Sequence, residues 1–253
     1  MDYNDFEITY KNKDGIDSSC RLVVSKFYSF EVVKNDIENN IVELMVGNDP
    51  DYDVPSAKQK LKERLSNDKN NSHLIGAIAE FFMHILIANL GYKRYSIFRN
   101  LEDRSFKKGF DGVVVVNDDF WLVESKSTIS LSETHMGNIK EAIDCISLKV
   151  SCDIESNPWE NAISHMKFLQ IGNVDPIMKR IKQLEKDRAD KKQHDISEYN
   201  IIPVSTLFFE STLSEEGLIE AVKKFLTGKK YKNICVVAID NLIKDSFLKY
   251  INE

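Results

Sequence analysis

The segment FDGVVVVNDDFWLVESK, residues 110–126, constrains the fold of this chain more than any other stretch. Two apolar runs of strand length flank Asn117 and Asp118, residue types that favour tight turns. If these two residues form the whole loop, Val116 pairs with Asp119 and the runs become antiparallel neighbours in a sheet. The remaining chain must supply the rest of that sheet and the helices that cover it.

Three charged side chains lie on this otherwise apolar hairpin. With a two-residue loop, Asp111 faces Glu124 at a Cβ separation of roughly 4.5–5.5 Å. Lys126 points to the same side as Glu124, because side chains alternate along a strand. A three-residue loop would break this register, so the facing of the two carboxylates depends on the turn.

Two facing carboxylates repel each other, and a lysine or a divalent cation can offset that repulsion. Mg²⁺ prefers oxygen ligands and is typically held by one or two carboxylates with water and phosphate oxygens. A bound cation would polarise a phosphodiester and activate water, while Lys126 would orient that water or stabilise the developing charge. The pattern therefore predicts a phosphodiesterase site, although an acid-x-lysine pattern also arises by chance in a chain with 29% charged residues.

A further acidic residue, Glu80, lies in the apolar segment LIGAIAEFFMHILIANL. A helix is predicted there, with Ser72 as its N-cap and Gly91 just after its end. Small residues one turn before Glu80 allow that helix face to approach another element closely, so we expect Glu80 to point into the site. His84, one turn later, is left open as a ligand, a substrate contact or an ordinary core residue.

The predicted architecture is α/β, with a central mixed sheet flanked by helices. Residues 1–70 are interpreted as an N-terminal region with an opening hairpin and helices, and residues 71–253 as the main domain. The main domain carries a helical insertion at about residues 158–192. A strand is predicted over residues 92–98, and Ser132 is expected to cap the helix that follows the charged hairpin.

The net charge of −6 argues against a protein that grips nucleic acid alone through a strongly basic face. Two basic segments, residues 179–192 and 223–232, are interpreted as solvated helix faces and turns. Four scattered cysteines form no zinc-binding pattern and are expected to stay reduced. The N-terminus does not resemble a signal peptide, and the apolar run around Glu80 is a little short for a membrane span. We therefore expect a cytoplasmic protein that does not cross a membrane.

The order of these elements resembles the PD-(D/E)XK nuclease superfamily. Glu80 lies on a helix, Asp111 starts one strand, and Glu124-Ser125-Lys126 lie on the next, with Phe110 where the motif's proline would stand. More narrowly, the segments HLIGAIAEFFMHIL, GFDGVVVV, LVESKS and IKEAIDCIS, within residues 72–150, are similar to the HamA-type nuclease subunit of Hachiman anti-phage defence.

The superfamily resemblance implies that Glu80, Asp111 and Glu124 hold Mg²⁺, or Mn²⁺ in its place, and that Lys126 assists the nucleophilic water. The narrower resemblance implies a deoxyribonuclease effector whose partner is a superfamily 2 helicase, HamB, that restrains it until DNA is sensed. Two alternatives remain open. The first is a catalytically silent scaffold subunit with a nuclease-like fold. The second is a soluble α/β protein with an unrelated hydrolase site, which the lack of a GxSxG, P-loop or HExxH motif disfavours. If the chain is a nuclease, RNA could replace DNA as its substrate.

Overall fold

The computed structural model describes residues 1–47, 49–66, 71–98, 109–151 and 157–253. Seven strands in these ranges form one mixed sheet in the order β1-β2-β7-β6-β5-β4-β3. Strands β2, β7, β6 and β5 run parallel, whereas β1, β4 and β3 pair antiparallel. The mixed α/β class predicted from the sequence is confirmed. The strands are β1 Asn4–Lys11, β2 Asp17–Phe27, β3 Lys93–Arg94, β4 Gly112–Val116, β5 Asp119–Thr128, β6 Asn200–Leu207 and β7 Asn233–Asn241.

Helices cover both faces of the sheet and close one apolar core on each side. Helices α4 to α7 contribute to the first core, and α1, α2, α3 and α8 to the second. The alternation of side chains along β5 sends Leu122 into the first core and Val123 into the second. The helices are α1 Phe30–Val46, α2 Val54–Ser66, α3 Asn71–Asn89, α4 His135–Val150, α5 Pro158–Phe168, α6 Pro176–Ala189, α7 Glu215–Leu226 and α8 Lys244–Asn252.

Helix α3 is the apolar helix that carries Glu80. By length and composition it could cross a membrane, yet most of its apolar stretch is buried inside the protein. Phe81 and Phe82 pack on Phe247 of α8, with ring centroids 5.2 and 4.9 Å apart. It is therefore a core helix, and it packs against β5 of the charged hairpin.

Two predicted helix starts differ from the structure. Helix α3 begins at Asn71, so Ser72 lies inside its first turn and is not the N-cap. Helix α4 is capped by Thr134, whose Oγ1 accepts a hydrogen bond from Gly137 N at 3.2 Å. Ser132 lies two residues before this cap, and its hydroxyl hydrogen-bonds to that of Ser130 at 2.8 Å.

The strand predicted over residues 92–98 shortens to the two residues of β3. One backbone hydrogen bond continues past β3, from Tyr95 N to Val113 O at 2.8 Å. Side-chain bonds follow it: Val113 N donates to Ser96 Oγ at 3.1 Å, and Ile97 N donates to His165 Nδ1 at 3.3 Å. These side-chain partners take backbone N–H groups that a longer ladder would have used, and β3 ends early.

The strands of residues 1–70 belong to the same sheet as the rest of the chain. Strand β2 pairs in parallel with β7 over seven residues, from Arg21 opposite Cys235 to Phe27 opposite Asn241. The boundary expected near residue 70 therefore does not coincide with a break in the sheet. The helical pair expected at about residues 158–192 is present as α5 and α6, each with a proline in its first turn.

Candidate active site

The turn of the β4–β5 hairpin consists of Asn117 and Asp118 alone. Both residues have positive φ, 50° and 57°, which is the combination of a type I′ turn. The two-residue loop on which the sequence argument depends is therefore confirmed. The ladder ends with Gly112 opposite Val123, so Asp111 lies one residue further on, at the mouth of the hairpin.

Asp111, Glu124 and Lys126 converge at this mouth. Asp111 Oδ2 accepts a hydrogen bond from Ser125 N at 2.8 Å, which holds the aspartate against β5. Glu124 is only 2% exposed, and Lys126 Nζ lies 3.2 Å from its Oε1. Burial, and then the charge of Glu124, raise the pKa of Asp111 well above its ordinary value. The negative charge of Glu124 therefore disfavours the charged form of Asp111.

Lys149, in the last turn of α4, is a fourth charged residue of the site. Its Nζ lies 2.5 Å from Glu124 Oε2, and its side chain is almost fully buried. Each oxygen of Glu124 therefore contacts one lysine. Sequence reasoning missed Lys149, although it stands on the apolar face of α4 beside the buried residues Ile146 and Val150, and that placement was the available signal.

The two lysines remain charged in this arrangement. Burial by itself would lower the pKa of Lys126, but the nearby Glu124, Cys145 and Asp111 raise it above its usual value. The same balance holds the pKa of Lys149 above its usual value. Both amines are therefore protonated at neutral pH, which suits them to orient water or stabilise negative charge rather than to accept a proton.

Glu80 lies at the edge of this group. Its carboxylate is 3.6 Å from Arg64 and 3.9 Å from His84 Nε2, and its charge contributes to the raised pKa of Asp111. His84 is fully buried, and neither of its ring nitrogens has a hydrogen-bond partner among the residues that the structure describes. Its ring fits beside the hairpin because residue 112 is glycine, where a Cβ would lie 3.2 Å from His84 Cε1.

The HamA family model matches residues 4–252, almost the whole chain. The chain belongs to the HamA family. This membership indicates a component of Hachiman anti-phage defence, and it extends the resemblance seen at residues 72–150 to both ends of the sequence. No curated protein matches the chain in sequence.

The donor chemistry of this HamA-family site suits Mg²⁺, because carboxylate oxygens are its preferred protein ligands. The pKa of Asp111 is raised chiefly by burial, and then by the charges of Glu124 and Glu80, and a bound cation would lower it by favouring the charged carboxylate. Within the part of the chain that the structure describes, however, no three His, Cys, Asp or Glu side chains lie close enough to enclose a metal ion. Metal binding by Glu80, Asp111 and Glu124 therefore stays a prediction.

The basic segments of this HamA-family chain are engaged in ion pairs within the protein. Arg180 and Lys232 both contact Asp119 beside the hairpin turn, and Lys230 lies 2.8 Å from Asp14. These pairs are consistent with the interpretation of residues 179–192 and 223–232 as solvated faces and turns.

Proposed function

We propose that this HamA-family protein is a metal-dependent DNA nuclease and the effector of a Hachiman complex in which a superfamily 2 helicase is its partner. The observation that carries the proposal is the convergence of Asp111, Glu124 and Lys126 at the mouth of one hairpin. Hydrolysis of a phosphodiester needs charge drawn from the phosphate and a water held in line. Carboxylates beside a fixed ammonium group can meet both needs.

Asp111 and Glu124, with Glu80 as a third carboxylate, would hold Mg²⁺, which supplies the Lewis acidity that polarises the phosphate and activates water. The hydrogen bond from Ser125 N orients Asp111 before any cation arrives. Lys126 lies on the strand face of Glu124 and presents a protonated amine that would orient the attacking water or stabilise charge on the phosphate.

Substitution of Lys126 tests this proposal. Lys126→Ala should reduce DNA cleavage about 100-fold or more, since a fixed charge at the reacting centre is typically worth that much. Lys26→Ala is the matched control, because Lys26 lies at the carboxyl end of β2 and its side chain is similarly exposed, 31% against 24%. Cleavage by Lys126→Ala at the rate of the control, with Mg²⁺ present, would contradict the proposal.

A catalytically silent scaffold is the second candidate, and one observation favours it. Both oxygens of Glu124 are held by lysines, which compete with a cation for the same carboxylate. Calorimetric titration with Mg²⁺ and Mn²⁺ separates the candidates. Binding that is lost in Asp111→Asn supports the nuclease, whereas no binding to the wild-type protein favours the scaffold.

A further inference from the structure

A second buried polar cluster lies on the same face of the sheet as Lys126. It consists of His135 and Asn138 from the first turn of α4, Ser205 of β6 and Asp240 of β7, and we call it the α4 anchor. All four residues are between 0 and 6% exposed. Buried polar groups are costly unless each is satisfied, so the hydrogen bonds of this cluster are informative.

The α4 anchor is a continuous chain of hydrogen bonds. His135 Nδ1 lies 2.9 Å from Ser205 Oγ, and its Nε2 lies 2.9 Å from Asp240 Oδ1. Asn138 Nδ2 donates to Ser205 Oγ at 3.2 Å and to the main-chain oxygen of Lys126 at 3.4 Å. These four hydrogen bonds each have one donor and one acceptor when His135 carries its proton on Nε2 and accepts the hydroxyl proton of Ser205 on Nδ1.

The cluster has the residue types of a serine hydrolase relay but not its accessibility. A nucleophilic serine must meet substrate, whereas Ser205 is fully buried and its oxygen already accepts a hydrogen bond from Asn138. The role of the cluster is therefore structural, and the sheet topology shows which elements it joins. Lys126 and Ser205 are register partners on β5 and β6, and Asp240 lies on the adjoining β7, so the anchor ties three parallel strands to one helix end.

We propose that the α4 anchor positions the reactive end of β5 for catalysis, an inference that rests on the proposed function. Helix α4 links the two halves of the site, since its first turn holds the main chain at Lys126 and its last turn carries Lys149. Because the anchor fixes the start of α4, it fixes the backbone position of Lys149 on that helix. Through the hydrogen bond to the main-chain oxygen of Lys126, it also fixes the backbone position of Lys126. His135, Asn138, Ser205 and Asp240 act through these lysines and do not touch substrate.

A matched pair of asparagines tests the inference. Asn138→Ala removes a buried amide that donates to a carbonyl of β5 at Lys126. Asn200→Ala removes an equally buried amide that donates to another β5 carbonyl, that of Phe120, at 2.8 Å. Both variants should lose similar stability, but only Asn138→Ala should lower kcat for DNA cleavage, by about 10- to 100-fold with KM unchanged, because misplaced reacting groups cost rate rather than binding.

A second measurement does not depend on activity. Amide hydrogen exchange over residues 124–128 should accelerate in Asn138→Ala and stay at the wild-type rate in Asn200→Ala. If Asn138→Ala does not fold, Ser205→Ala breaks the same chain of hydrogen bonds and takes its place.

Equal kcat in the two asparagine variants, or equal exchange over residues 124–128, would overturn the inference. Failure of the wild-type complex to cut DNA with Mg²⁺ would overturn the proposed function instead. In that case the exchange comparison alone decides whether the anchor holds this strand end.

Discussion

At the scale of single residues, the site depends on how buried charges are compensated. Glu124 is buried between Lys126 and Lys149, so its charge is well matched. The pKa of Asp111 is raised by burial and by two nearby carboxylates, so its charge is matched less well. Under the proposed function, the cation would bind beside Asp111, the carboxylate whose charge is matched less well.

Lys149→Met tests the compensation of Glu124. The variant leaves a buried carboxylate with one cation fewer, and we expect the free energy of unfolding to fall by about 3–5 kcal/mol. Added Mg²⁺ should raise the free energy of unfolding of Lys149→Met by more than it raises that of the wild-type protein, because the divalent cation replaces the lost charge. Chemical denaturation with and without Mg²⁺ measures both effects. Lys140→Met, at an exposed position of the same helix, is the control, and an equal loss in both variants would contradict the account.

The raised pKa of Asp111 predicts a dependence on pH. A carboxyl group whose folded-state pKa exceeds its unfolded value binds more protons in the folded state, so its contribution to stability declines as pH rises. Without metal, the free energy of unfolding should therefore decline between the ordinary pKa of 3.8 and the raised one. Over the same range metal affinity should increase, since the cation displaces a proton. Both slopes should be reduced in Asp111→Asn, and a metal affinity independent of pH would argue against this assignment.

The three charged residues of the hairpin could be predicted from sequence, but Lys149 and the α4 anchor could not. Asp111, Glu124 and Lys126 interrupt an apolar hairpin whose register follows from its own turn. Lys149 lies on a helix, and a single lysine on the apolar face of a helix is only a weak indication of a functional residue. The α4 anchor joins residues as far apart as His135 and Asp240, and no local pattern connects them.

At the scale of elements, the β4–β5 hairpin and helix α4 carry the site. The hairpin was predictable because two-residue loops are set by local turn chemistry. The insertion of β7 between β2 and β6 was not, because it depends on contacts between distant parts of the chain. Strand β3 was overestimated for a related reason, since His165, a side chain from another element, takes the hydrogen bond of Ile97 N.

The turn offers a prediction about the hairpin itself. Asp118 has a φ of 57°, a conformation that glycine adopts without steric cost and that favours an Asn-Gly sequence in type I′ turns. Asp118→Gly should therefore raise the free energy of unfolding by roughly 0.5–1 kcal/mol, because the left-handed strain that is relieved exceeds the extra chain entropy that glycine loses on folding, and it should leave metal binding unchanged. Denaturation and calorimetry measure the two quantities, and a destabilised variant would show that the turn is held in another way.

At the scale of the whole molecule, net charge and ion pairing bear on how DNA reaches the site. The chain carries a net charge of −6, and cations of both basic segments are engaged with acids of the chain itself. A protein with this balance gains little from the phosphate attraction that drives non-specific binding. The proposed helicase partner would therefore deliver the substrate, and activity is best measured on the complex.

The most direct test of the central claim is DNA cleavage by the complex of this protein with the proposed helicase partner, measured with Mg²⁺ and with a chelator. Asp111→Asn is the decisive variant, because it retains an oxygen that can accept the hydrogen bond from Ser125 N while it removes the charge. The account predicts Mg²⁺-dependent cleavage by the wild-type complex and a loss of about 100-fold or more in the variant. Equal cleavage by both complexes, or cleavage unaffected by the chelator, would contradict it.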